Sequence, residues 1–204
     1  MTLNANMIGV HILIVSSAVA LTIVIGVPLG ILAYFYKGIR KVILWIVETL
    51  QTVPTLALLG IIMVFLGPGR KTVIAGLLLY SLLPVVQNTY VGLSEVDPAI
   101  KEVAQGMGMT RAYRLAHVEA PIAWPLIFTG IRIAAVTCVG SAVFAVFVGG
   151  GGLGSLIYQG IRVSNFKMVI SGTGALMAIA IGLDTIMASI EKRLYRRTSP
   201  PRVK

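Results

Sequence analysis

The chain has 204 residues, 57% of them hydrophobic and 12% charged, with a mean hydropathy of +0.92. Soluble domains carry about 25% charged residues, so this composition excludes an ordinary water-soluble domain and makes lipid the expected solvent. Lys and Arg outnumber Asp and Glu by 17 to 7, but the basic residues lie in short stretches between apolar runs, which encodes membrane topology and not a nucleic-acid patch.

Five segments are apolar enough and near the roughly 20 residues needed to cross hydrocarbon: 8–36, 42–66, 73–93, 122–148 and 168–190. Each is predicted to be helical, because backbone polar groups in lipid must find partners within their own segment. The alternation of a membrane barrel is absent. No Lys or Arg precedes the first run, which is also too long for a signal peptide, so it is read as a span. Pro28, Pro54 and Pro84 interrupt the first three spans and predict local kinks. Gly26 and Gly30 are spaced for close helix packing. The lone cysteine, Cys138, allows neither an intrachain disulfide nor a thiolate zinc site.

Charge sets the orientation. Lys37, Arg40 and Lys41 follow the first span, and Lys101, Arg111 and Arg114 follow the third. Six more basic residues lie after Glu191, whereas the opposite side holds only Arg70, Lys71, Arg162 and Lys167. The bias places the N-terminus outside and the C-terminus in the cytoplasm. The tail 196–204, with Pro200 and Pro201, is expected to be a disordered cationic anchor at the membrane surface.

The connection 94–121 is cytoplasmic by this count and longer than a turn requires. Asp97 before Pro98 forms a helix start, an N-cap followed by proline at the first helical position. Ile100, Val103, Ala104 and Met107 then fall at i, i+3, i+4 and i+7, one apolar stripe on a short helix. Gly106 and Gly108 end it, with Gly108 suited to the left-handed C′ position. Thr110 is placed to cap a second short helix through Arg111, Tyr113 and Arg114, and Pro121 opens the fourth span. A helix too short to span can lie in the lipid interface or enter a groove on a partner. Lys101, Glu102 and the second helix favour docking.

Glu102-Val103-Ala104, then Gly108, nine residues, and Val118-Glu119-Ala120-Pro121 resemble the EAA loop of ABC-importer permeases. That pattern reads EAA, three residues, Gly, nine residues, Ile-x-Leu-Pro. Val103, Val118 and Ala120 are conservative departures from it. The stretch Gln51 to Gly60, with Thr52 and Pro54, is similar to permeases for glycine betaine, choline and carnitine. So are Tyr80-Ser81-Leu82-Leu83-Pro84, Asn88-Thr89-Tyr90 and Gly149 to Gly154.

The resemblance implies an all-α integral membrane fold like that of type I ABC importers, with about five transmembrane helices, in a bacterial or archaeal inner membrane. It implies a second permease chain, a cytoplasmic ATPase dimer that receives the loop, and an extracytoplasmic substrate-binding protein. ATP and Mg would be bound by the ATPase and no cofactor by this chain, a non-catalytic subunit. The implied cargo is a quaternary-amine osmoprotectant taken up under osmotic stress. Two readings compete: import of another small solute, such as methionine or a thiol compound, and a self-sufficient carrier or channel.

Other residues are weighed on their chemistry. Glu48, Arg132 and Asp184 lie within spans, where ionisable groups face a bundle interior or a water path. Arg132 is expected to pair with Asp184 or Glu48. Tyr80 and Tyr90 offer aromatic faces suited to a quaternary ammonium, and Thr52 and Pro54 mark a kink suited to the pore wall. Gly149, Gly151 and Gly154 match a dinucleotide-loop spacing, but after a span and not a soluble strand, so they are read as an external gate segment or a tight turn. His11 and His117 lack a metal-site context.

Overall fold

The computed structural model describes residues 2–198, and all the regular elements among them are helical. In chain order they are α1 (Ala5–Phe35), α2 (Lys37–Thr52), α3 (Thr55–Leu66), α4 (Arg70–Ser94), α5 (Pro98–Gly106) and α6 (Arg111–Arg114). A π turn (Leu115–Glu119) leads into α7 (Ala120–Ser141), which tightens into a 3-10 stretch (Ala142–Val148). Then come α8 (Leu153–Arg162) and α9 (Phe166–Thr198).

α4 is the central element, packed against α1, α2, α3 and α7. Its approach to α1 is close because Gly26 and Gly30 abut Val85 and Thr89, so the small-residue spacing serves packing within the chain. One core cluster, with Ile14, Val73, Leu77 and Val139, fills the end near the glycine-rich loop. A second, with Val85, Leu93, Ile127 and Ala134, fills the end near the polar loop 94–121. α9 packs on α7 and α8 along one side and is otherwise open.

Four stretches are long and apolar enough to cross a bilayer as single elements: Ala5–Phe35, Arg70–Ser94, Arg111–Val148 and Phe166–Arg196. The expected span 42–66 is not one helix. It is α2 and α3, bent by 103° at their junction. Pro54 supplies no amide for the helix, and the residue before a proline is driven out of the helical region. Val53 is accordingly extended, at φ −70° and ψ 128°. α2 packs beside Leu82, Val86 and Tyr90 of α4, whereas Leu59 of α3 packs beside Val73 and Leu77. The break therefore faces the middle of α4. Pro28 and Pro84, in contrast, lie inside continuous helices.

α9 runs eight residues past the expected end at 190. Residues 199–204 of the expected cationic tail lie outside the described residues. α8 was not anticipated. It buries Leu153, Leu156 and Gly160, and the glycines at 160 and 172 bring it close to α9.

Candidate functional site

The loop 94–121 is built by local chemistry. Asp97 Oδ1 accepts from the Ala99 amide at 2.8 Å, with Pro98 at the first helical position of α5. At the other end Gly108 has φ +79°, and two backbone bonds close the turn: Gly108 N–H to the Gln105 carbonyl at 2.9 Å and Met109 N–H to the Ala104 carbonyl at 3.2 Å. This is a complete Schellman cap. Thr110 Oγ1 accepts from the Tyr113 amide at 3.3 Å and starts α6.

The apolar stripe divides. Ala104 is buried, whereas Ile100, Val103 and Met107 are 40%, 64% and 72% exposed. Together with Ala99, Met109 and Val118 they line an open apolar hollow of about 340 Å³. Glu102 is exposed on the same helix. Apolar surface presented on a polar loop marks an interaction site.

Behind that face lies a set of contacts that the sequence did not signal. Glu119, 1% exposed, accepts from Arg114 Nε at 2.5 Å. Arg114 also reaches Gln105 Oε1 of α5 at 3.4 Å. Tyr34 at the end of α1 lies beside the Glu119 carboxylate. Lys101 stands 5.2 Å over the Tyr34 ring and donates to the Leu93 carbonyl at the end of α4 at 2.9 Å. Pro121 follows, in the first turn of α7.

A second ionic group lies at span depth between α7 and α9. Arg132 grips Asp184 with two bonds, Nε to Oδ1 at 2.7 Å and Nη2 to Oδ2 at 3.0 Å. Its Nη1 donates to Glu191 Oε2 at 2.7 Å, and Thr129 donates to the other Glu191 oxygen. Glu191 replaces Glu48 in the expected network. It lies seven residues after Asp184, two turns along the same face of α9. Glu48 is exposed on α2, a helix that packs on α4 and α1. A hollow of about 250 Å³ opens at the Arg132 site, lined by Thr129, Ile133, Val136, Thr137 and Asp184.

The aromatic candidates part company. Tyr90 is engaged by Arg40, which donates to its hydroxyl at 2.7 Å and holds its guanidinium carbon 5.3 Å from the ring centroid. Its face is therefore already occupied by a cation. Tyr80 is half-buried on α4. Thr52 and Pro54 are exposed at the α2–α3 break, with Thr52 Oγ1 turned back to the Thr49 carbonyl at 2.8 Å.

Gly149 and Gly151, both at positive φ, carry the chain from the 3-10 stretch towards α8. The turn is fastened by Gly69 N–H to the Val148 carbonyl at 2.7 Å, and Gly154 lies directly against the Val143 carbonyl. His11, fully buried, meets the Val139 carbonyl through Nε2 at 3.1 Å and packs under Gly152. Its signal in the sequence was only an isolated polar residue in an apolar run.

Comparison with known proteins supplies a frame for this geometry. The family described as "Binding-protein-dependent transport system inner membrane component" matches residues 7–196. The choline transport system permease protein OpuBD of Bacillus subtilis is 37% identical over 187 residues, 91% of this chain and 83% of that protein. The osmoprotectant import permease protein OsmY of Salmonella typhimurium is 39% identical over 190 residues, 92% of this chain and 80% of that one. Among solved structures, an inward-facing MetNI methionine ABC transporter chain superposes with a TM-score of 0.82 at 20% identity, covering 94% of this chain and 99% of that one.

Proposed function

The chain belongs to the family of inner membrane components of binding-protein-dependent transport systems, and from that premise we propose that it forms half of the path by which an ABC importer takes up a quaternary-amine osmoprotectant such as choline, glycine betaine or carnitine. The observation that carries the cargo is the 37% and 39% identity, over nine-tenths of the chain, to permeases named for choline and for osmoprotectants. The chain is a multi-pass inner-membrane permease subunit.

In this reading the loop end is cytoplasmic. α5, with Ile100, Val103 and Met107 outward, enters a groove on an ATPase subunit, and Asp97, Ala104, Gly108 and Pro121 hold it in shape. Two features favour a second permease chain around a shared path. The α2–α3 break leaves non-helical backbone exposed opposite the middle of α4, and such backbone persists at membrane depth only when it lines water or is covered by protein. The side chains of Arg132 and Asp184 are also open, at 29% and 44% exposure, where lipid would not solvate them. Thr52, Pro54 and the Arg132 group are assigned to that shared face. Gly149, Gly151 and Gly154 are assigned to the outer rim that meets the binding protein. ATP-driven closure of the ATPases draws the two loops together and opens the path outward, and hydrolysis returns it.

The test is purification of the tagged chain from its native membrane in mild detergent, followed by uptake of radiolabelled choline, glycine betaine and carnitine in cells lacking other carriers for them. A stoichiometric ATPase and competitive uptake of these amines are expected. A chain that purifies without an ATPase under several gentle conditions overturns the importer reading. An ATPase complex that transports none of the three overturns the cargo.

A further inference from the structure

Side chains five apart on an α-helix are turned roughly 140° from one another, and the neighbours that pair are three or four apart. Arg114 and Glu119 are five apart, yet Nε and Oε1 lie at 2.5 Å. The π turn makes this possible. The Ala120 amide donates to the Leu115 carbonyl, five residues back, and the wider turn carries i and i+5 round to one side. Pro121 favours the wider turn, having no amide to donate and a ring that in an α-helix would meet the carbonyl four residues earlier, but Pro28 and Pro84 sit inside continuous helices, so proline alone does not fix it. Pair and turn therefore depend on each other. A relaxed α turn would separate Arg114 from Glu119, and the pair opposes that relaxation.

The pair is also part of a closed ring. Lys101 and Gln105, one turn apart on α5, reach Tyr34 and Arg114 respectively. Arg114 holds Glu119, and Tyr34 of α1 lies beside that carboxylate. Lys101 adds the end of α4 through the Leu93 carbonyl. Glu119 Oε2 is buried without a hydrogen-bond partner, so the side chain is held on one oxygen and by its surroundings. The ring borders a hollow of about 490 Å³ lined by Tyr34, Gln105, Arg111 and Arg114, which gives the connection room to move.

We propose that Glu119 is a positioning residue: acting on Arg114 across the π turn, it fixes the rotation of α5 relative to α7, so that a displacement of the docked helix reaches the path instead of being absorbed in the connection. This rests on the reading of 94–121 as the ATPase-docking loop. Loss of the pair lets the turn relax by one residue, a rotation of roughly 100°, after which movement of α5 no longer specifies movement of α7.

The experiment uses the permease–ATPase complex in proteoliposomes with its binding protein. Glu119→Gln keeps shape and removes charge. Deletion of Ala116, exposed in the π turn, leaves Arg114 and Glu119 four apart, a spacing that an α turn pairs, and so keeps the pair without the wide turn. Both are expected to purify with the ATPase at wild-type stoichiometry, while ATP hydrolysed per choline or glycine betaine imported rises roughly tenfold in Glu119→Gln and stays near the wild-type ratio in the deletion. Glu119→Asp is expected to recover part of the loss. Spin labels on α5 and α7 should report an ATP-dependent distance change in the wild type that Glu119→Gln loses and the deletion keeps. Wild-type coupling in Glu119→Gln overturns the proposal, and so does loss of the ATPase from Glu119→Gln, which would make the residue merely structural. A wild-type chain that captures no ATPase removes the docking reading and this proposal with it. A complex that assembles but imports neither amine removes only the cargo, and the label distances still decide whether the Arg114–Glu119 pair couples α5 to α7.

Discussion

The chain holds two ionic groups that differ in almost every physical respect. Arg114 and Glu119 are 15% and 1% exposed and lie within the polar loop 94–121. Arg132, Asp184 and Glu191 lie at span depth, with Asp184 at 44%. In the first group Glu119 is enclosed by the chain itself, with Arg114 at the edge of a hollow. The second lies open where lipid would be, so its surroundings are completed by water or by a second chain. Burial therefore separates a group covered within this protomer from one left open at its surface.

The largest expected effect tests the enclosed group. Glu119→Ala takes the carboxylate from the largely covered Arg114 and leaves a void where a buried side chain stood, and loss of one partner from such a pair costs about 3 kcal/mol. Thermal unfolding of the purified chain in detergent should shift down accordingly, and Glu119→Ala should unfold well below Glu119→Gln. An unchanged midpoint would mean that water reaches Arg114 and that the enclosure is incomplete. The open group should behave in the opposite way. Arg132→Asp and Asp184→Arg are each expected to abolish uptake with a smaller loss of thermal stability than Glu119→Ala, and the double reversal should regain part of the uptake. If the double reversal regains none, direct pairing is not what transport needs at this site.

How much of this was legible depended on whether the cause was local. Asp97-Pro98 and Gly108 announced both ends of α5, because caps and left-handed glycines act within a few residues. Pro54 announced a break but not its 103° angle, which depends on how α2 and α3 pack on the two halves of α4. Arg132 and Asp184 were visible as charges in apolar runs. Glu191 was not, because it stands at the start of a basic tail and reads there as ordinary flanking charge. Glu119 occupies a variable position of the loop pattern, and its burial comes from α1 and α5. α8 was hidden for a different reason: Leu153, Leu156, Ile157 and Gly160 carry a helical spacing, but over only ten residues, too few to span, between a glycine-rich segment ending at Gly154 and the next apolar run.

The next effect separates a glycine of that glycine-rich segment from one in α9. At Gly154 a Cβ would enter the Val143 carbonyl, which is backbone and does not move aside. Gly154→Ala should cost about 2 kcal/mol through overpacking, read as a lower unfolding midpoint. Gly182→Ala, within α9, is the control. Nothing lies within 4 Å of its Cβ position, and alanine favours a helix by up to about 1 kcal/mol over glycine. Equal losses at the two positions would mean that the 3-10 stretch yields and that the outer rim is softer than its packing implies.

The smallest expected effect concerns Gly108, where space and backbone conformation give opposite answers. A Cβ at this position meets nothing within 4 Å, so on steric grounds with neighbours any small residue fits. The backbone, however, is held at φ +79° by the two bonds that close α5, and a left-handed conformation costs a non-glycine residue roughly 1 kcal/mol. Gly108→Ala should therefore lower stability by about that amount while loosening the turn that aims Met107 and Met109. Gly108→Asn should lose less, since asparagine enters the left-handed region more readily. Retention of the ATPase by the purified chain should follow the same order, glycine above asparagine above alanine. An alanine chain that holds the ATPase as well as wild type would show that docking reads only the exposed stripe of Ile100, Val103 and Met107 and is indifferent to how α5 ends.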